Sequence, residues 1–302
     1  MNRSLQSLKV EKFLEAALRH MEPLKGTYIY ESIVRDFMEK TGSSDDGYGR
    51  WLEQLLRFLV EHYHLEGKRI LDLGCGTGEL TVRMNLLGYQ AFGLDIHEKH
   101  LELARVLAKE NGIPDDVFIL NNARRLPFPN GYFDVVTMFS VLEHLDDSVL
   151  NWLFPELRRI SRGVIYGLVP NRLKPVDDHT GLRFVPWIPR WMASRYVKIR
   201  GRKRGYLISR DGSWDVYYRS FSRIVFLFRR NGFVSEFPPD TVIYPPLDKV
   251  PPITRIGRHL KVGRNGVFIG IRLPTKFMAK LGYPRQALYP YLNLVFIPQG
   301  EI

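Results

Sequence analysis

The chain of 302 residues is 45% hydrophobic and 25% charged, a balance that excludes a disordered polymer and gives one large domain or two small ones. No apolar run reaches the ~18 residues that cross a bilayer, no apolar leader follows Met1, and the single cysteine, Cys75, excludes an internal disulfide and a cysteine-based zinc cluster, so the expected compartment is the reducing cytoplasm. The net charge of +12 is unevenly placed, at −6 over residues 1–150, +13 over 151–230 and +5 over 231–302, which assigns an anionic partner to the second half.

Residues 5–65 read as helices, with Leu5, Leu8, Val10, Phe13, Leu14 and Leu18 in a 3–4 residue rhythm that Trp51, Leu52, Leu55, Leu56, Leu59 and Val60 repeat. Thr41 to Gly47 interrupts them with loop chemistry. From residue 68 short apolar runs alternate with helical stretches. The runs are Arg69 to Leu73, Gln90 to Ile96, Val117 to Leu120, Phe133 to Phe139 and Gly163 to Val169, and Glu98 to Asn111 and Ser148 to Ser161 read as helices between them. That alternation predicts an α/β fold, a parallel sheet with helices on both faces. Beyond Pro170 the text turns rich in Pro, Trp, Tyr and Arg until a helix at Phe221 to Asn231, closed by Gly232. Leu292 to Ile297 reads as a late strand, Val267 to Leu273 as a strand or a helix, and the Pro-rich text of 238–290 as irregular chain.

Ile70-Leu71-Asp72-Leu73-Gly74-Cys75-Gly76-Thr77-Gly78 sets three alternate glycines directly after the first strand, a turn that a ligand can approach closely beside free helix N–H groups. A dinucleotide fingerprint would place its third glycine at 79, where Glu79 stands, and no Lys-Ser/Thr pair follows for a nucleoside triphosphate. The segment resembles motif I of class I S-adenosylmethionine-dependent methyltransferases, of the type 11/23 group. Four further segments agree in order: Gly93-Leu94-Asp95-Ile96, with its acid 21 residues past Gly74; Asn122-Ala123 in Asn121 to Phe128; Phe139-Ser140-Val141-Leu142-Glu143-His144; and Val169-Pro170-Asn171. The resemblance implies a doubly wound, Rossmann-like, mostly parallel seven-stranded sheet with S-adenosylmethionine as cofactor. In it Gly74, Gly76 and Gly78 would cradle the ligand, Asp95 accept the ribose hydroxyls, Ile96 lie on adenine and Asn122, beside Ala123, accept from the adenine amino group. Phe139 completes the cofactor set. Asp72 either reaches the methionine amino group through water or caps the loop.

Methyl transfer is an in-line displacement, so the acceptor belongs beside the carboxyl end of the fourth strand. The Asp/Asn-Pro-Pro-aromatic tetrad that holds amino nitrogens is missing there, which favours an oxygen or carbon acceptor. The candidate bases are His144 and His179; for each, a purely structural role in its turn is the alternative. His179 follows Asp177-Asp178, and an acid beside an imidazole can fix its tautomer.

The stretch 181–204 interleaves Arg183, Arg190, Arg195, Lys198 and Arg200 with Trp187, Trp191 and Tyr196 and reads as a substrate lid, with Asp178, Arg183, Trp187 and Trp191 as substrate contacts and Arg202, Lys203 and Arg204 steering anions. Aromatic faces stack on sugars while Arg forks onto phosphate, and the wording of the lid resembles bacterial and archaeal methyltransferases of surface-glycan assembly. A sugar or lipid-linked glycan therefore ranks first, RNA second and a membrane-associated quinone-like lipid third. A solvated basic face that only covers the sheet is the plain alternative. These expectations divide the chain into an N-terminal helical cap (1–66), a cofactor-binding core (67–170), a lid insertion (171–220) and a C-terminal completion of the sheet (221–302). They describe a cytoplasmic methyltransferase, able to sit peripherally on an anionic membrane, that O-methylates a sugar, glycan or lipid-linked acceptor and holds no metal. An RNA-directed methyltransferase, or an RNA-associated binding protein with a degenerate site, is the other class.

Overall fold

Five apolar runs lie side by side as parallel strands because each ends in a turn and is returned by a helix across the sheet. They are β1 (Arg69–Leu73), β2 (Gln90–Asp95), β3 (Phe118–Leu120), β4 (Phe133–Phe139) and β5 (Ser161–Pro170), joined late in the chain by β6 (Phe233–Glu236) and β7 (Tyr291–Pro298). Among the described residues the helices are α1 (Glu11–Met21), α2 (Gly47–His62), α3 (Glu79–Leu86), α4 (Glu98–Glu110), α5 (Asp147–Ile160), α6 (Arg190–Ile199) and α7 (Phe221–Arg230). The computed structural model describes residues 8–22, 25, 47–65, 69–121, 124–200, 216–245 and 284–300. The sheet order is β3-β2-β1-β4-β5-β7-β6. β1 to β5 pair in parallel, whereas β7 runs antiparallel between β5 and β6. The predicted seven-stranded, mostly parallel, doubly wound sheet is therefore present.

Successive strand residues point to opposite faces. Leu71, Val136 and Ile165 meet Leu153, Phe154 and Leu157 of α5 and Phe228 of α7 on one side. Ile70, Val135 and Val164 meet Leu52, Leu55, Leu56 and Leu59 of α2 on the other. Those four leucines are 0% exposed, and burying each contributes about 1.5–3 kcal/mol, enough to fix the N-terminal segment on the sheet. α1 joins further out. Phe13 packs among Val82, Leu101, Ala104, Leu107 and Phe118, and α4 supplies the missing cap: the Glu110 carboxylate accepts from the N–H groups of Lys12 (3.0 Å) and Phe13 (3.1 Å).

The helices predicted at Glu98 to Asn111 and Ser148 to Ser161 fall within a residue of those observed. β5 starts earlier than predicted because it follows α5 without a loop. β6 escaped the periodicity reading, being four residues long with only Phe233 fully buried. The predicted element at Val267 to Leu273 lies outside the described residues. The insertion after β5 has a small core of its own, Leu182, Val185, Ala193, Val197 and Val216, and is tied by a bridge between Val176 and Arg183.

Candidate active site

The strand order reverses between β1 and β4, so their carboxyl ends open a crevice, the place where doubly wound sheets bind ligands. The chain leaves β1 through Gly74, Gly76 and Gly78, at φ of 75°, 53° and 78°, a left-handed region that glycine adopts without strain. The three do different work. A Cβ on Gly74 would lie 2.6 Å from a Val141 methyl, and one on Gly78 2.6 Å from the Phe118 ring and 2.7 Å from Ala104. Both glycines let the loop close onto the protein. A Cβ on Gly76 would meet nothing within 4 Å, so this is the glycine that leaves room for a ligand.

Asp72, 2% exposed, stands beneath the loop. Its two oxygens accept from the hydroxyls of Thr81 (2.8 Å) and Thr137 (3.1 Å), tying β1 to α3 and β4. Burial pushes its pKa up to about 6, against the pull of those two hydroxyls. These bonds anchor the end of β1 to α3 and β4.

Asp95 ends β2. One oxygen accepts from the Gly76 N–H at 2.9 Å, the other from the His97 N–H at 2.8 Å, and the His100 imidazole lies 3.9 Å away. Burial works upward on its pKa, but His100 and the two backbone N–H groups outweigh it and hold the carboxyl below its usual range. A carboxylate offers about four lone-pair sites, so Asp95 keeps acceptor capacity toward the crevice. Ile96 beside it is 60% exposed. An open glycine, a charged acceptor and an exposed apolar face in one place fit the ribose and adenine of an adenosyl group. Phe139, at the end of β4, is half-buried between Trp51 (5.7 Å) and Tyr166 (5.6 Å), so α2 reaches the crevice. Asn122 and Ala123 lie outside the described residues.

At the carboxyl end of β4, Ser140 takes a left-handed φ of 54° while its N–H donates to Leu168 O at 2.8 Å, and the chain turns into a 3-10 segment, Leu142–His144. Glu143 is 0% exposed, and among the described residues no donor reaches either of its carboxylate oxygens in good hydrogen-bond geometry, although its own backbone N–H and Ser140 lie close by. Burial pushes its pKa up to about 8, with Asp178 adding to the rise and its own backbone N–H, Ser140 and Arg219 opposing it. His144 and His179 come together although 35 residues separate them, with ring centroids 5.0 Å apart. Among the described residues the buried Nε2 of His179 has no partner, and burial, ahead of opposing Asp177 and Asp178, lowers the pKa of this imidazole.

The acids expected to orient His179 are engaged elsewhere. Asp178 pairs with Lys174, which also donates to the Tyr291 hydroxyl. Asp177 accepts from the Thr180 N–H (2.8 Å), the Thr180 hydroxyl and the Tyr218 hydroxyl, and so pins the loop rather than the imidazole. Sequence reasoning missed Arg219: its guanidinium donates to Leu142 O (2.7 Å) and Leu145 O (2.6 Å) and meets Asp147 (3.0 Å), while the Tyr217 N–H donates to Glu143 O (2.6 Å). Segment 216–220 thus clamps the turn carrying Glu143 and His144.

Under the lid lies a cavity of about 640 Å³ whose lining includes Arg172, Arg190, Tyr217, Arg219 and Arg223 against the single acid Asp147. The Arg190 guanidinium sits 4.1 Å above the Tyr217 ring. None of the four predicted substrate contacts lines this cavity. Asp178 is paired to Lys174, Arg183 is half-buried beside its bridge to Val176, and Trp187 packs on Phe184 at 5.2 Å. Trp191 is 63% exposed because α6 buries its opposite face through Ala193 and Val197. Arg202, Lys203 and Arg204 lie outside the described residues.

Residues 70–163 match the protein family described as "Methyltransferase domain". A ubiquinone biosynthesis O-methyltransferase from Chromobacterium violaceum is 39% identical over 95 residues, 30% of this chain and 40% of that protein. A ubiquinone/menaquinone biosynthesis C-methyltransferase from Vibrio campbellii is 40% identical over 85 residues, 27% of this chain and 33% of that protein. The matched stretch thus spans two fifths or less of these relatives. A solved S-adenosylmethionine dependent methyltransferase from Mesorhizobium loti superimposes with a TM-score of 0.48 at 20% identity, covering 83% of this chain and 99% of that one. Sheet order, glycine loop and family match agree over residues 70–163, the stretch of this chain that is similar to a methyltransferase domain.

Proposed function

We propose that the chain is an O-methyltransferase that delivers the methyl group of S-adenosylmethionine to a hydroxyl of a quinol-like ring compound. The observation that carries this reading is the convergence of Glu143, His144 and His179 at the carboxyl end of β4, the strand next to the glycine loop. S-adenosylmethionine supplies an electrophilic methyl group on its sulfonium. The residues of this chain must hold the donor, exclude water and take the acceptor's proton. Asp95, Ile96 and Gly76 hold the adenosyl end. His179, kept neutral by burial, presents an unpartnered Nε2 that can receive the hydroxyl proton. Arg219 and Tyr217 hold the turn in which His144 sits.

An oxygen acceptor also agrees with the printed name of the Chromobacterium relative. The names of both relatives concern quinone biosynthesis and lend no support to the sugar or glycan acceptor that the lid's wording placed first. They lend none to RNA either. The arginine-lined cavity suits an acceptor with a carboxylate or phosphate.

Transfer of labelled methyl groups to a panel of a hydroxylated benzoquinol, a sugar phosphate and total RNA tests the reading. Label on the quinol oxygen is the expected result. Label confined to sugar phosphate or RNA overturns the acceptor class, and label on no oxygen overturns O-methylation.

A second reading concerns place. On α6, Trp191 (63%), Met192 (41%) and Ile199 (82%) are exposed beside Arg195, Lys198 and Arg200, in a helix without an acid. Such a face suits the surface of an anionic bilayer, while no helix among the described residues is long and apolar enough to cross one. Trp191→Ala should weaken co-sedimentation with phosphatidylglycerol vesicles; equal binding to phosphatidylcholine vesicles would contradict the reading.

A further inference from the structure

We propose that Glu143, His144 and His179 hold a divalent first-row transition cation, of the Zn2+ or Mn2+ class, beside the acceptor. Each offers one ligand atom, and among the described residues these three atoms lie within 4.8 Å of one another. Ligands bound at about 2.0–2.2 Å from a cation are about 3–4 Å apart, so small side-chain adjustments close the set.

Two observations point to a ligand here. Glu143 is fully buried with both oxygens unpartnered, and the Nε2 of His179 is buried and unpartnered as well. A buried carboxylate is costly unless a cation or donors compensate it. The nearby protein cations are engaged: Arg219 donates to Leu142 O, Leu145 O and Asp147, and Lys174 to Asp178 and Tyr291. Two imidazoles with one carboxylate select a transition cation over Mg2+ or Ca2+, which prefer all-oxygen sets. Three protein ligands leave coordination positions for an acceptor oxygen, whose proton a bound cation would make easier to lose; with the cation in place His179 is a ligand rather than the base, and the proton leaves to solvent. This role rests on the O-methyltransferase reading; the cation site does not.

The test is calorimetric titration of the chelator-treated full chain with Zn2+ and with Mn2+, together with melting curves. One cation per chain and a raised melting temperature are expected, with affinity lowered ~10²-fold or more in Glu143→Gln and in His179→Ala. Both variants should keep the melting shift given by S-adenosylhomocysteine, which shows that they fold. Equal affinity in wild type and both variants, or no binding by wild type, overturns the site. Cation binding without methyl transfer to any hydroxyl supports the site and overturns the enzymatic reading. Transfer undiminished by chelator, with no cation bound, does the reverse.

Discussion

The two halves of the crevice are built on opposite principles. On the β1–β2 side the acids are satisfied by the protein itself. Asp72 is bridged to Thr81 and Thr137, and Asp95 to the N–H groups of Gly76 and His97. On the β4 side Glu143 and the Nε2 of His179 are buried and left without partners. A satisfied network fixes one geometry before any ligand arrives, whereas unsatisfied groups await something that completes them. The first suits a ligand common to a whole family, the second an acceptor particular to this chain.

Substitutions on each side should therefore fail differently. The largest effect is expected from His179→Ala, which should lower turnover by ~10²–10⁴-fold while the affinity for S-adenosylhomocysteine stays within about twofold; steady-state kinetics with calorimetry reads both. Equal losses in turnover and cofactor affinity would erase the distinction between the halves.

The cofactor side should fail through folding. Gly78→Ala sets a Cβ 2.6 Å from Phe118 and 2.7 Å from Ala104 at a φ of 78°, which should cost about 2–5 kcal/mol in overpacking and left-handed strain. Gly76→Ala carries only the strain, about 1–2 kcal/mol, but should weaken S-adenosylhomocysteine binding because its Cβ enters the open space. Denaturant unfolding and calorimetry on the pair separate the two uses of glycine.

Asp72 makes a test by pH. Its carboxyl titrates at about 6 in the fold against an ordinary 3.8, so the folded state is penalised as the group ionises. The penalty is absent below pH ~4, builds through that window and is full above it, at about 3 kcal/mol. Asp72→Asn lacks it. The stability of the variant relative to wild type should rise between pH 4 and 7 and then level off, as urea midpoints would show; a pH-independent difference would mean that Asp72 is not held in this buried network.

The smallest effect belongs to the clamp. Arg219→Met should lower turnover by about tenfold, equivalent to about 1.4 kcal/mol of barrier, by loosening the turn at Leu142 and Leu145, with cofactor affinity unchanged.

The cofactor half was legible in the sequence because its signals are local. Apolar runs of the right period make the strands, three alternate glycines mark the positive-φ loop that follows β1, and Asp95 follows at the end of the next strand. The acceptor half was legible only in part: His144 and His179 were named and lie together, but long-range packing decides the rest. Glu143 in Val141-Leu142-Glu143-His144-Leu145 reads as an acid opening a helix, and its burial depends on Tyr217 and Arg219, more than 70 residues downstream, folding over it. The lid's composition was evident, but not which side of α6 would be buried. Ala193 and Val197 pack inward, which turns Trp191 outward and leaves Arg190 and Tyr217 to line the cavity. β6 was too short to show a period, and it pairs only because β7 supplies the partner edge.

The loop and Asp95 are expected to form a preassembled site for S-adenosylmethionine. Calorimetric titration of wild type and Asp95→Ala with S-adenosylhomocysteine tests it most directly. One site per chain is expected in wild type, with affinity weakened by ~10²–10³-fold in the variant, as loss of charge-assisted hydrogen bonds to a carboxylate implies. Equal affinity in the two proteins, or no binding by wild type, would contradict it.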